Sequence, residues 1–81
     1  MERNMPQVHV SAFWDAEASV WVAESEDVPG LITEAESMDA LMQKLEVLIP
    51  ELLDENGYPD GDEVAFELNA RITGTAHRMA A

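Results

Sequence analysis

Ser37-Met38-Asp39-Ala40-Leu41-Met42-Gln43-Lys44-Leu45-Glu46-Val47-Leu48-Ile49-Pro50-Glu51-Leu52-Leu53-Asp54-Glu55-Asn56-Gly57 is the stretch that decides the fold. Met38, Leu41, Met42, Leu45, Leu48, Ile49 and Leu52 recur at spacings of three and four, so they form one apolar stripe on an α-helix. Gln43, Lys44, Glu46, Glu51, Asp54 and Glu55 fall mainly on the wet face. Ser37 suits the N-cap, where a hydroxyl accepts from a free amide of the first turn, and Asp39 suits the positive end of the helix dipole. Asn56-Gly57 is a stop, because glycine adopts the left-handed conformation that closes a helix. Pro50 lacks an amide hydrogen and crowds the carbonyl of Glu46, so a bend or a break is expected there.

Outward from this helix, both flanks change from helical to two-residue periodicity. Downstream, Tyr58 to Asp62 reads as a turn-rich loop and Glu63 to Ile72 as a strand. Val64, Phe66, Leu68, Ala70 and Ile72 share one face of it; Ala65, Glu67, Asn69 and Arg71 share the other. Upstream, Val8 to Trp14 is a strand with Val8, Val10, Ala12 and Trp14 opposed to His9, Ser11 and Phe13. Asp15 to Ala18 is a polar connection, and Ser19 to Ser25 a second strand with Val20 and Val22 on one face and Trp21 and Ala23 on the other. So short a connection makes a hairpin. A loop over Asp15 to Ala18 sets Trp14 opposite Ser19 and Ala12 opposite Trp21, although no Asn-Gly pair fixes the register. Pro29 and Gly30 suit the central positions of a type II turn, and Leu31 to Glu34 then forms a short third strand. Gly74 to Ala81 reads as a loose tail.

The element order is β-β-β-α-β. In a meander the first and third strands run parallel, and a right-handed crossover through the helix returns the last strand beside the first, parallel to it. The expectation is an α+β fold: a four-stranded mixed sheet in the order 3-2-1-4 with one helix on one face. A single domain occupies residues 1 to 81, with its core at about 8 to 72. One helix covers one face only, so the second face is wet or is an interface. The last strand is the longest in this reading and lies at an edge.

The chain has 81 residues and a mass of 9.0 kDa, with 17 Asp and Glu against 4 Lys and Arg, a formal net charge of −13 and a pI near 4.1. Between Arg3 and Arg71 the only cation is Lys44. A phosphate backbone requires a basic footprint, so direct nucleic-acid binding is not expected, nor is attraction to an anionic membrane surface. No apolar run nears the ~18 residues of a membrane span, and Met1 to Pro6 has no signal-peptide core. The absence of cysteine removes disulfides and thiolate zinc sites. These features point to the cytoplasm. With 47% hydrophobic residues the chain can fold, yet a domain this small has a marginal core. A homodimer or higher homo-oligomer is therefore expected.

Catalytic patterns are weak. His9 alternates with valines on a strand and His77 lies in the tail, so the two histidines make no convincing site. Asp54 to Glu63 is acidic, but calcium-loop spacing needs glycine at the sixth position and Pro59 is there. Asp15, Glu24 and Glu67 are the candidates for a two-metal nuclease, yet nothing in the sequence brings them to one point, and Asp15 reads better as a turn residue. No cofactor, metal site or enzymatic activity is expected. Trp14, Phe13 and Trp21 cluster at the first hairpin; because adjacent residues point to opposite faces, at least one aromatic must turn away from the helix. Trp21 is the candidate interface anchor. Glu67, Asn69 and Arg71 are candidates for self-association: an antiparallel two-fold pairing of the last strand about Asn69 sets Glu67 of one chain opposite Arg71 of the other.

The sequence also resembles the HicB-like superfamily, and within it a group of short bacterial proteins of unassigned function. The resemblance rests on Trp14-Asp15-Ala16-Glu17, Val20-Trp21-Val22-Ala23, Val28-Pro29-Gly30-Leu31 with Thr33-Glu34-Ala35, and Leu41, Lys44-Leu45 and Ile49-Pro50-Glu51-Leu52-Leu53 before Asn56-Gly57. It spans about residues 8 to 72. It implies a partial ribonuclease-H-like β-β-β-α-β domain. HicB proteins are antitoxins whose N-terminal domain binds HicA, a small basic toxin that cleaves messenger RNA. Many also carry a C-terminal DNA-binding domain, and nothing after Ile72 resembles one. The resemblance implies an acidic protein-binding module that masks a basic RNA-binding partner. The alternatives are a stand-alone homo-oligomer binding an unknown ligand and, third, a remnant metal-dependent nuclease.

Overall fold

The computed structural model describes residues 8–57 and 63–79. Its elements run in the order β1 (Val8–Asp15), β2 (Val20–Glu24), β3 (Ile32–Ala35), α1 (Met38–Glu55) and β4 (Phe66–Arg71). The sheet order is β3-β2-β1-β4, with β1 antiparallel to β2, β2 antiparallel to β3, and β4 parallel to β1. This is the mixed four-stranded α+β arrangement that the alternation of periods predicts.

α1 supplies Leu41, Leu45 and Ile49 to the core. They meet Val8, Val10 and Ala12 of β1, Ala23 of β2 and Ala35 of β3, together with Val28 and Leu31 from the turn between β2 and β3. Small residues at positions 12, 23 and 35 suit close approach of a helix to a sheet. The helix lies over β3 and β2 rather than over β4. Val64, Phe66 and Leu68 are therefore only partly buried at the margin of the core.

The caps follow the sequence. Ser37 is extended, and its hydroxyl accepts from the amide of Ala40 at 3.1 Å. Gly57 has φ +75° just past Asn56, and its amide donates to the carbonyl of Asp54. The Val28-Pro29-Gly30-Leu31 turn closes with Leu31 N–H donating to the Val28 carbonyl at 3.1 Å, and Gly30 takes φ +85°, as a type II turn requires. The Asn56 side-chain amide donates to the carbonyls of Leu52 and Pro29, at 2.7 and 3.5 Å, tying the end of the helix to this turn.

Four expectations need correction. The hairpin loop is Ala16 to Ser19, and the register pairs Trp14 with Trp21 and Ala12 with Ala23, two residues away from the predicted pairing. The cause is Asp15. Its carboxylate accepts from the amides of Glu17 and Ala18 at 3.0 and 3.3 Å, and its carbonyl accepts from Ser19 N–H at 2.7 Å. This turn holds Ser19 at φ +58°, so the chain reverses one residue later than predicted. Second, the break that was one of the two outcomes expected at Pro50 does not occur: α1 continues as helix through Pro50 to Glu55. Pro50 and Glu46 lie on the exposed face, where water can serve the carbonyl that proline leaves unpaired. Third, β4 begins at Phe66 rather than Glu63 and ends at Arg71, and β1, not β4, is the longest strand. Phe66 pairs with Val8, the first residue of β1, and before it the Ala65 carbonyl still accepts from Val8 N–H while residues 63 and 64 have no paired strand residue among the described residues. Fourth, β2 and β3 are Val20–Glu24 and Ile32–Ala35, each shifted or trimmed by a residue. The Tyr58 to Asp62 loop lies outside the described residues; residues 72–79 carry no regular structure and are exposed.

Candidate functional site

The uncovered face of the sheet is the candidate site, and its residues follow from strand parity. Positions 8, 10 and 12 face α1, so 9, 11 and 13 face away, and the registers carry this across the sheet. One row across the open face reads Glu34–Val22–Phe13–Arg71. The next reads Ile32–Glu24–Ser11–Asn69, and below it His9 stands beside Glu67. Phe13 is 44% exposed and Ile32 68% exposed, with half-buried Val22 beside Phe13 in the first row. The face thus sets apolar Phe13, Val22 and Ile32 among Glu24, Glu34 and Glu67, with Arg71 its single cation among the described residues.

Its edges are well ordered by hydrogen bonds. His9 Nδ1 lies 3.4 Å from Glu67 Oε1, an ion pair whenever the imidazole is protonated. Beyond Glu24, β2 leaves the ladder and side chains take over. Asp27 accepts from His9 N–H at 2.8 Å, and the Ser25 hydroxyl donates to the His9 carbonyl at 2.7 Å while accepting from Asp27 N–H at 3.0 Å. Ser11, Phe13, Glu24, Asn69 and Arg71 line a shallow hollow of about 480 Å³ on the same face.

Of the residues singled out in the sequence, Glu67, Asn69 and Arg71 lie on this open face, on the edge strand β4. Trp21 does not. It pairs with Trp14 on the helix side, half-buried, with ring centroids 5.4 Å apart in an edge-to-face arrangement. The aromatic turned outward is Phe13, and the signal for it was present: Phe13 must oppose Trp14, and the buried valines assign Trp14 to the core side. Asp15 is occupied in the turn, apart from Glu24 and Glu67. Among the described residues no three His, Asp or Glu side chains converge in a way that could hold a metal. No helix is long and apolar enough to cross a membrane among those residues. Two features escaped sequence reading. One is the Ser25–Asp27 substitution for the ladder. The other is Lys44, whose ammonium reaches from α1 to the carbonyl of Glu34 at 2.6 Å.

A four-stranded mixed sheet with one helix and an open, acidic, partly apolar face defines a small α+β domain. The chain belongs to the family described as Domain of unknown function (DUF1902), whose model matches residues 7–80. It is similar to a hypothetical protein from the extremely thermophilic bacterium Thermus thermophilus, known from a crystal structure. The two are 49% identical, with a TM-score of 0.66, over 88% of this chain and 97% of the other. No curated protein matches the chain.

Proposed function

We propose that this chain is a protein-binding module of the type found in HicB-like antitoxins, which masks a small basic RNA-binding protein of the HicA kind. The observation that carries the reading is the open sheet face: Phe13, Val22 and Ile32 set among Glu24, Glu34 and Glu67. Carboxylates there stand in for the phosphates that a basic partner otherwise binds. With a net charge of −13 the chain would attract such a partner from a distance, which mainly raises the encounter rate and selects by charge. Affinity would come from the apolar groups, and the anchor is Phe13 in place of Trp21. A partner that acts on messenger RNA fits a cytoplasmic location. The proposal is of binding without catalysis.

The test is co-expression with a small basic double-stranded-RNA-binding-fold protein encoded beside this chain, followed by affinity purification at low and high salt. The expected result is a complex that weakens with salt and is lost on Phe13→Asp, with the variant still folded by circular dichroism. A complex unaffected by Phe13→Asp, or no complex at low salt, overturns the reading.

A further inference from the structure

The two edges of the sheet differ. At the β3 edge, backbone groups of Ile32 and Glu34 turn outward, because Thr33 and Ala35 face β2. That edge is four residues long, and Lys44 caps the outward Glu34 carbonyl at 2.6 Å. A short strand with a lysine lying on its edge is a standard obstacle to strand addition. At the β4 edge the situation is reversed. Val8 N–H donates to the Ala65 carbonyl, and the parallel register then turns the odd-numbered residues of β4 toward β1 and the backbone groups of Phe66, Leu68 and Ala70 outward. No described hydrogen bond covers these groups. Phe66 and Leu68 are only half-buried because α1 lies over β2 and β3, and Ile72, just beyond the strand, is 68% exposed.

From this asymmetry we infer that a second copy of this chain docks antiparallel along β4, on a two-fold axis through Asn69, making one continuous eight-stranded sheet. The occupant and the register follow from charge and shape. Centred on Asn69, Glu67 faces Arg71 of the other copy twice by symmetry, Leu68 exchanges backbone hydrogen bonds with Ala70, and Phe66 lies beside Ile72. A shift of the axis to Glu67 or to Arg71 sets like charges opposite each other, which is unfavourable. Arg71 is the only cation on the open face among the described residues, and this register gives it an opposite charge on the partner copy. The inference does not rest on the antitoxin reading, whose binding surface is the sheet face rather than its edge.

Sedimentation equilibrium of the full chain at micromolar concentration tests it. The expected species has twice the 9.0 kDa chain mass. Ala70→Pro removes an outward amide at an exposed position without touching the β1 ladder, and is expected to give a monomer with unchanged circular dichroism. Glu67→Arg is expected to raise the dimer dissociation constant about tenfold, and the double variant Glu67→Arg with Arg71→Glu to bring it back near the original value. A monomeric wild type overturns the inference. So does a dimer that persists in Ala70→Pro, or one that Glu67→Arg weakens but the double variant does not restore. A strand donated by a different protein would leave the wild type monomeric, and so would also count against it.

Discussion

Leu45→Ala is the most informative test of how α1 is held. Leu45 is fully buried, between Leu41 and Ile49 on the stripe that meets Val10, Ala12 and Ala23. Truncation removes the transfer energy of the lost carbons and leaves a cavity that neighbouring elements fill only in part; for buried leucines this costs about 3–5 kcal/mol. A chain of 81 residues is held by about 4–12 kcal/mol in all, so the loss is a large share of its stability. Val47, two positions away on the same helix, is 59% exposed. Val47→Ala removes little buried surface and introduces a better helix former, so its effect is within about 0.5 kcal/mol. Urea unfolding followed by the fluorescence of Trp14 and Trp21 reads both variants, at one fixed protein concentration because association adds to apparent stability. With a slope of about 1 kcal/mol/M, Leu45→Ala is expected to move the midpoint down by about 3 M or to leave the chain unfolded, while Val47→Ala stays near wild type. Equal shifts for the two variants would refute this placement of the apolar stripe.

Two further outcomes follow from local geometry. Gly30→Ala should cost about 1 kcal/mol, hence about 4–8 °C in thermal midpoint, from the backbone alone: φ is +85°, while the added Cβ would sit an ordinary 3.9 Å from Leu52 Cδ2. A loss much above that in a calorimetric scan would mean steric conflict rather than backbone strain. Lys44→Met keeps the helix and the apolar stem but uncovers the Glu34 carbonyl, so light scattering should detect association beyond the dimer as concentration rises; unchanged scattering would show that the lysine does not guard the edge.

The fold was legible because each element declares its period. The 3–4 spacing of Met38 to Leu52 and the strict alternation of Val8 to Trp14 leave little freedom in topology once the crossover is right-handed. The register of the first hairpin was not legible. It depends on one carboxylate, Asp15, gathering two amides, and on a non-glycine residue, Ser19, accepting a positive φ; neither leaves a compositional mark. That the helix does not break at Pro50 was not legible for a related reason. Its cost depends on whether the abandoned carbonyl faces water, and that follows from how the helix is rolled against the sheet. The candidate surface was half legible. Parity assigns Glu67, Asn69 and Arg71 to one face of their strand and Trp14 to the core side of its own, but that Trp21 also turns inward is fixed only by the paired register Trp14–Trp21. The role of Lys44 is tertiary throughout: ten residues separate it from the carbonyl it reaches.

The rung at His9 has a consequence for how the sheet opens. Its amide and carbonyl are held by Asp27 and Ser25 side chains, whereas Ser11 and Phe13 are paired with the backbone of β2. Two amide protons of one strand therefore report two different events in hydrogen exchange. Exchange at Phe13 requires β1 and β2 to part. Exchange at His9 requires only that residues 25–27 swing away, a local excursion with a smaller free energy than separation of the strands. The lower end of β1 thus has its own latch, released independently of the hairpin. An Asp27→Ala variant should make the His9 proton exchange faster while leaving that of Phe13 nearly unchanged.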